Sequence, residues 1–165
     1  MKRNEHLVVI MLEPMPKGEE FEIWPRHITI VPWFPCDDEA RLDDTLRAVA
    51  DRHKKFKVQA GEVEEWGRRD KFKVQKIDDE EKLLHKLHLD VFRSLEKDGF
   101  QVHQKDFLGE KYIPHFALRN RLQRGQELER RQLITVDKFS LIKQLRLKGS
   151  GRMIKSLAGD YELKD

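Results

Sequence analysis

The chain has 165 residues, with 33 lysines and arginines against 30 aspartates and glutamates, a formal net charge of +3 and a pI near 8.9. That length can bury a core without metal or disulfide support, and the near balance of charge permits a polyanionic ligand without requiring one. Cys36 is the sole cysteine, which excludes an intrachain disulfide and suits a reducing cytoplasm; no stretch has the length of a membrane span.

In chain order, residues 7–13 predict a first, buried strand. Met1-Lys2-Arg3 ahead of the apolar run from Leu7 to Leu12 has the outline of a signal peptide. The run is too short, Glu13 and Pro14 end it, and no small-residue cleavage site follows. A loop from Pro14 to Pro25 leads into a strand over His27 to Val31, which Pro32 and Pro35 should close. A helix fits 38–54, with Leu42, Leu46, Val49 and His53 on one face. Residues 55–63 and 71–77 alternate as strands, and Glu64 to Asp70 reads as their turn.

A second helix fits 79–98, with Leu84, Leu87, Val91 and Leu95 as its buried stripe. Asp78 and Glu81 resemble a capping box, and Gly99 a C-terminal stop. A strand covers 113–119, residues 120–132 read as surface loop, and strands near 134–147 and 152–163 flank a turn at Gly149-Ser150-Gly151. The order predicts an α+β architecture of two similar lobes, one domain over 1–165, with a cleft between them.

Two tetrapeptides carry the chemistry: His27-Ile28-Thr29-Ile30 and His115-Phe116-Ala117-Leu118, each with a proline just upstream. In a strand, side chains at i and i+2 share a face. Ile28 and Ile30 then point into the core, and His27 and Thr29 away from it. The second copy sorts Phe116 and Leu118 from His115 and Ala117 in the same way. Two such strands side by side put two imidazoles in one cleft, an acid and a base at neutral pH. The histidines are 88 residues apart, close to half the chain, which suggests an internal duplication.

These residues resemble the 2H phosphoesterase superfamily, in its 2′-5′ RNA ligase and cyclic phosphodiesterase branch. The family pattern is His, apolar, Thr or Ser, apolar, occurring twice. The resemblance implies a bilobal fold of two pseudo-symmetric lobes, mainly antiparallel sheet with outer helices and a central groove. It implies chemistry without metal or cofactor on 2′,3′-cyclic or 2′-5′-linked phosphates of RNA or nucleotides, with ligation as the reverse direction. His27, Thr29 and His115 are the implied catalytic residues. Ala117 departs from the pattern, because the family has a hydroxyl there that hydrogen-bonds a phosphoryl oxygen. That leaves two readings open: a working or weakened enzyme, and a domain that binds RNA ends or nucleotides without turning them over.

Arg119, Lys143, Trp24 and Tyr112 are candidate substrate-binding residues. Arg119 shares the face of His115 and offers a bidentate phosphate contact. Lys143 belongs to a stretch from Lys138 to Lys155 that carries no acid. Trp24, with Phe21, Trp33 and Phe34, reads either as a stacking surface for a base or as a core lid. His85 and His88 are spaced as a metal pair, but no third ligand accompanies them. The expected protein is a cytoplasmic monomer with no membrane partner.

Overall fold

The computed structural model describes residues 4–69, 71–104, 108–118, 125–147 and 149–165. Among the described residues nine strands and two α-helices follow one another as β1 (Asn4–Met11), β2 (Glu20–Phe21), β3 (His27–Cys36), α1 (Glu39–Ala50), β4 (Phe56–Trp66), β5 (Phe72–Asp78), α2 (Leu83–Lys97), β6 (His115–Ala117), β7 (Leu133–Val136), β8 (Lys138–Arg146) and β9 (Met153–Glu162). They form two sheets. One has five strands in the order β2-β9-β8-β1-β3, the other four in the order β6-β5-β4-β7. Neighbouring strands in both are antiparallel.

Each histidine tetrapeptide opens an edge strand, β3 in the first sheet and β6 in the second, and these two edges lie against each other. Strand β3 runs on to Cys36, past the two prolines that should have closed it. Proline removes a ladder donor and is tolerated where no partner strand needs that donor, as on an edge. Opposite Leu7 the register slips, since His6 pairs with Phe34 but Val8 with Val31. Pro32 and Trp33 fill that bulge, which re-aims the side chains it carries.

Helix α1 is capped by Asp38, whose carboxylate accepts the Arg41 N–H at 3.0 Å. Helix α2 begins at Leu83, four residues later than the sequence pattern suggests. The chain first passes through Lys82 at φ +59°, and Asp79 serves as the cap in place of the Asp78–Glu81 pair. Its carboxylate accepts the N–H groups of Leu84 and His85, each at 3.1 Å. Leu84, Leu87, Val91 and Leu95 are fully buried, as are Leu42, Leu46 and Val49 of α1. These stripes meet Ile28, Ile30 and Phe34 of β3, Val58 and Ala60 of β4 and Phe116 of β6 in the main core. The second histidine strand spans only three residues. Part of the surface loop expected over 120–132 lies outside the described residues.

Gly61 lies in the bulge of β4 between Ala60, which pairs with Ile77, and Val63, which pairs with Gln75. A Cβ there would stand 2.9 Å from the Lys76 carbonyl and 2.8 Å from an Asp78 carboxylate oxygen. Among the described residues no helix is long and apolar enough to cross a membrane.

Candidate active site

The two histidines are held by the same local device. His27 Nδ1 lies 2.9 Å from the Pro25 carbonyl, and His115 Nδ1 lies 2.7 Å from the Ile113 carbonyl. A carbonyl only accepts, so each Nδ1 carries the proton and donates it, which makes Nε2 the basic nitrogen of each neutral ring. Among the described residues no hydrogen bond engages either Nε2. Each imidazole also packs against an indole: Trp24 at 4.2 Å between centroids for His27, Trp66 at 4.4 Å for His115. The internal repeat suggested by the tetrapeptides is therefore a repeat of side-chain environment too.

Burial lowers the pKa of both rings by penalising the charged form. For His27, only 8% exposed, the value falls to about 4. The Pro25 carbonyl opposes this and a charge on His115 adds to it. That effect sets the His115 ring within electrostatic reach of His27. His115 is lowered chiefly by burial, against its bond to the Ile113 carbonyl. Both rings are thus neutral at pH 7, and one phosphate anion between them would favour a proton on one.

A cavity of about 390 Å³ opens beside them. Its lining includes Thr29, His115, Ile30 and Tyr112 together with the large apolar side chains of Trp33, Trp66, Phe72 and Ile113. His27 does not line it, being covered by Trp24. Tyr112, expected as a substrate contact, is 7% exposed. Its hydroxyl donates to the Thr29 carbonyl at 2.8 Å, so it fixes the backbone of the first tetrapeptide while its ring forms part of the cavity. Trp24 is the partner of His27, and Phe34 is core; of the four aromatics around the first strand, Trp33 is the one that faces the cavity.

Lys143 is not brought to the cavity. Its ammonium is bound by Glu39 at the start of α1. Two other cations of the acid-free stretch are also engaged, Lys138 by Asp160 at 3.6 Å and Arg152 by Glu22, while Lys148 lies outside the described residues. Lys155, 8% exposed, donates to the Glu22 carbonyl at 2.8 Å with its ammonium 5.6 Å from the centre of the Trp24 ring. Arg119 lies outside the described residues.

Two contributors escaped the sequence pattern. Trp66 ends β4 within what reads as a turn. Its indole N–H donates to Glu64 at 2.8 Å, and the other oxygen of Glu64 receives the Lys76 ammonium at 3.4 Å. Lys76 is the cross-strand partner of His115, so Glu64 links the Trp66 indole to the residue opposite that histidine. His88 is structural: its Nδ1–H donates to the Ile30 carbonyl at 2.6 Å and its Nε2 accepts the Gly109 N–H at 2.9 Å. His85 is bound to Asp79 at 2.7 Å. Among the described residues no group of three or more His, Cys, Asp or Glu side chains is arranged as metal ligands would be.

Comparison with known proteins gives one family. A family model described as the 2′-5′ RNA ligase superfamily matches residues 13–147. A search of curated protein sequences finds no match. Among solved structures, E. coli LigT complexed with 3′-AMP is similar at a TM-score of 0.63 and 13% identity, covering 99% of this chain and 100% of that one. TT0787 of Thermus thermophilus gives 0.66 and 12%, covering 97% and 98%. The MHV ns2 PDE domain gives 0.50 and 13%, covering 86% and 99%. At such identities the likeness is one of fold: two antiparallel sheets and two α-helices arranged as in LigT.

Proposed function

Given that the chain belongs to the 2′-5′ RNA ligase superfamily, whose model spans residues 13–147, we propose that it is a phosphoesterase using His27 and His115 as its own base and acid. Its substrates are 2′,3′-cyclic phosphates or 2′-5′ phosphodiesters of RNA or nucleotides. The observation that carries this reading is the matched pair of rings, each with Nδ1–H tied to a carbonyl two residues upstream and Nε2 left basic.

In hydrolysis, His27 takes the proton of a water whose oxygen attacks phosphorus. The bond from phosphorus to a ribose oxygen breaks, and His115 gives that oxygen its proton. Ligation is the same path reversed, with the roles exchanged. His27 is assigned the base because it is the more deeply buried ring and its pKa falls to about 4. Thr29 hydrogen-bonds a non-bridging oxygen. Ala117 offers no such bond on its side, and Lys76, across the ladder from His115, supplies a cation there by releasing Glu64.

The test is hydrolysis of a nucleoside 2′,3′-cyclic phosphate with a chelator present. Replacing either histidine by alanine is expected to remove about 10²–10⁴ of the rate, the usual worth of a general acid or base. A hydrogen bond to a charged oxygen is worth roughly 1.5–3 kcal/mol, so Ala117→Thr should gain about ten- to a hundredfold. Turnover that survives in both histidine variants would sink the mechanism. Binding without turnover in the wild type and in Ala117→Thr would establish the binding-only reading.

A further inference from the structure

Between β6 and β7 the chain passes through residues 125–128, and it is fastened there at two points. At the first, the Arg26 guanidinium donates to the Gln126 carbonyl and to the Glu13 carboxylate, each at 3.0 Å. At the second, Gln75, only 1% exposed, holds Leu128 by both of its backbone groups. The Gln75 amide nitrogen donates to the Leu128 carbonyl at 2.9 Å, and the amide oxygen accepts the Leu128 N–H at 2.8 Å. The same nitrogen donates to the Gly61 carbonyl of β4 at 3.1 Å. Gly125 lies on the stem of Arg26 at φ +111°, where a Cβ would come within 2.4 Å of the arginine Cγ. Only glycine combines that backbone conformation with so close an approach.

The two anchors belong to different sheets. Arg26 directly precedes His27 and β3, and its own carbonyl accepts the Leu12 N–H at 3.0 Å. Gln75 sits in β5 beside Lys76, the cross-strand partner of His115. Among the described residues no ladder joins β3 to β6, so the spacing of the two histidine strands depends on side-chain contacts such as the bond from Tyr112 to Thr29. We propose that residues 125–128 are a strap that fixes the His27 ring relative to the His115 ring, with Arg26 and Gln75 as positioning residues. The inference rests on the phosphoesterase reading above, which needs both rings on one phosphate. The guanidinium suits this task because its donors form a rigid fork: one arm holds Glu13 at the end of β1 and another holds the strap, so Arg26 sets a direction as well as a distance. A displacement of about 1 Å between reacting groups can cost on the order of a hundredfold in rate.

The experiment is a pair of mutant cycles on hydrolysis of adenosine 2′,3′-cyclic phosphate. Arg26→Ala and Gln75→Leu should each lower kcat about ten- to a hundredfold, with KM moving less. In a His115→Ala background only one ring remains and its spacing from the other no longer matters. There the same substitutions should change the residual rate by less than about twofold. Equal losses in the two backgrounds mean a general structural role and overturn the proposal. Arg26→Lys keeps the charge without the fork and should lose nearly as much as Arg26→Ala; full activity in Arg26→Lys also overturns it. Arg26 lies outside the shared core, so Arg26→Ala carries the test even where thermal melts show that Gln75→Leu does not fold. Failure of the phosphoesterase reading shows separately, as no turnover by the wild type. The same cycles are then read on the affinity for adenosine 3′-monophosphate by calorimetry. Weakening that needs His115 supports the strap. Equal weakening in both backgrounds, or a wild type that does not bind, overturns it.

Discussion

At the scale of single residues, the site is governed by how burial sets the protonation of two rings. Both His27 and His115 have pKa values below the ordinary 6.5, His27 near 4. The productive free enzyme carries one proton between them, so kcat/KM should describe a bell with both limbs below pH 6.5, belonging to the pair rather than to either ring. Bound phosphate favours the charged imidazole. Two unit charges at 4 Å attract by about 4 kcal/mol at an effective dielectric of 20, so the alkaline limb of kcat should lie at least one unit above that of kcat/KM. The single variants separate the roles. His115→Ala keeps the base, and its residual kcat/KM should rise through pH 4 and then stay level. His27→Ala keeps the acid, and its residual rate should fall as pH rises. The opposite pair of profiles would exchange the assignments, and a kcat/KM limb above pH 7 would refute the burial account.

At the scale of elements, one buried side chain links α2 to the first histidine strand. His88 of α2 donates to the Ile30 carbonyl, accepts from Gly109 and stacks on Tyr112 at 4.1 Å. Tyr112 in turn holds the Thr29 carbonyl. Removing His88 leaves a buried N–H and a carbonyl unpaired, each costing roughly 1–3 kcal/mol, and loosens the backbone under Thr29. His88→Ala should therefore lower the melting temperature and also reduce kcat, with nucleotide affinity changing less. A stability loss with kcat intact would confine His88 to the core. The sequence shows the periodic part of this arrangement well. The stripes of α1 and α2 and the alternation of both histidine strands follow from spacing alone, as does the sorting of Thr29 from Ile30. It does not show what depends on non-local placement. The two prolines look like strand ends until β3 is known to be an edge, and Trp66 looks like a turn residue until β5 extends β4 to meet it. His88 reads as half of an exposed metal pair, because its partners are carbonyl and amide groups from 58 and 21 residues away. Lys138, Lys143 and Arg152 look like a phosphate surface only while Asp160, Glu39 and Glu22 are remote in sequence.

At the scale of the whole molecule, four histidines, His6, His27, His88 and His115, are held below their ordinary pKa, burial being the first cause in each. His6 is fully buried with neither ring nitrogen hydrogen-bonded among the described residues, 3.6 Å from Glu39. A histidine with a depressed folded pKa binds its proton more readily in the unfolded chain. Its contribution to stability is therefore complete above pH 6.5 and is lost as pH falls from there towards the folded value. For His27, falling to about 4, the loss between pH 7 and 5.5 comes to about 1 kcal/mol, or roughly 2–4 °C of melting temperature in a chain of this size. The other three add to it in the same direction. The lowered carboxylates, among them Glu39 and Asp90, lose their contribution only below the ordinary carboxylate range, so the window from pH 7 to 5 isolates the imidazoles. Melting temperature should fall steadily through that window, and less steeply in His27→Phe, which has no proton to take up. Saturating nucleotide should flatten the fall further, because bound phosphate favours the protonated pair. A melting temperature level from pH 7 to 5, or a slope that ligand leaves unchanged, would mean that the rings are not held neutral by burial and that the phosphate does not sit between them.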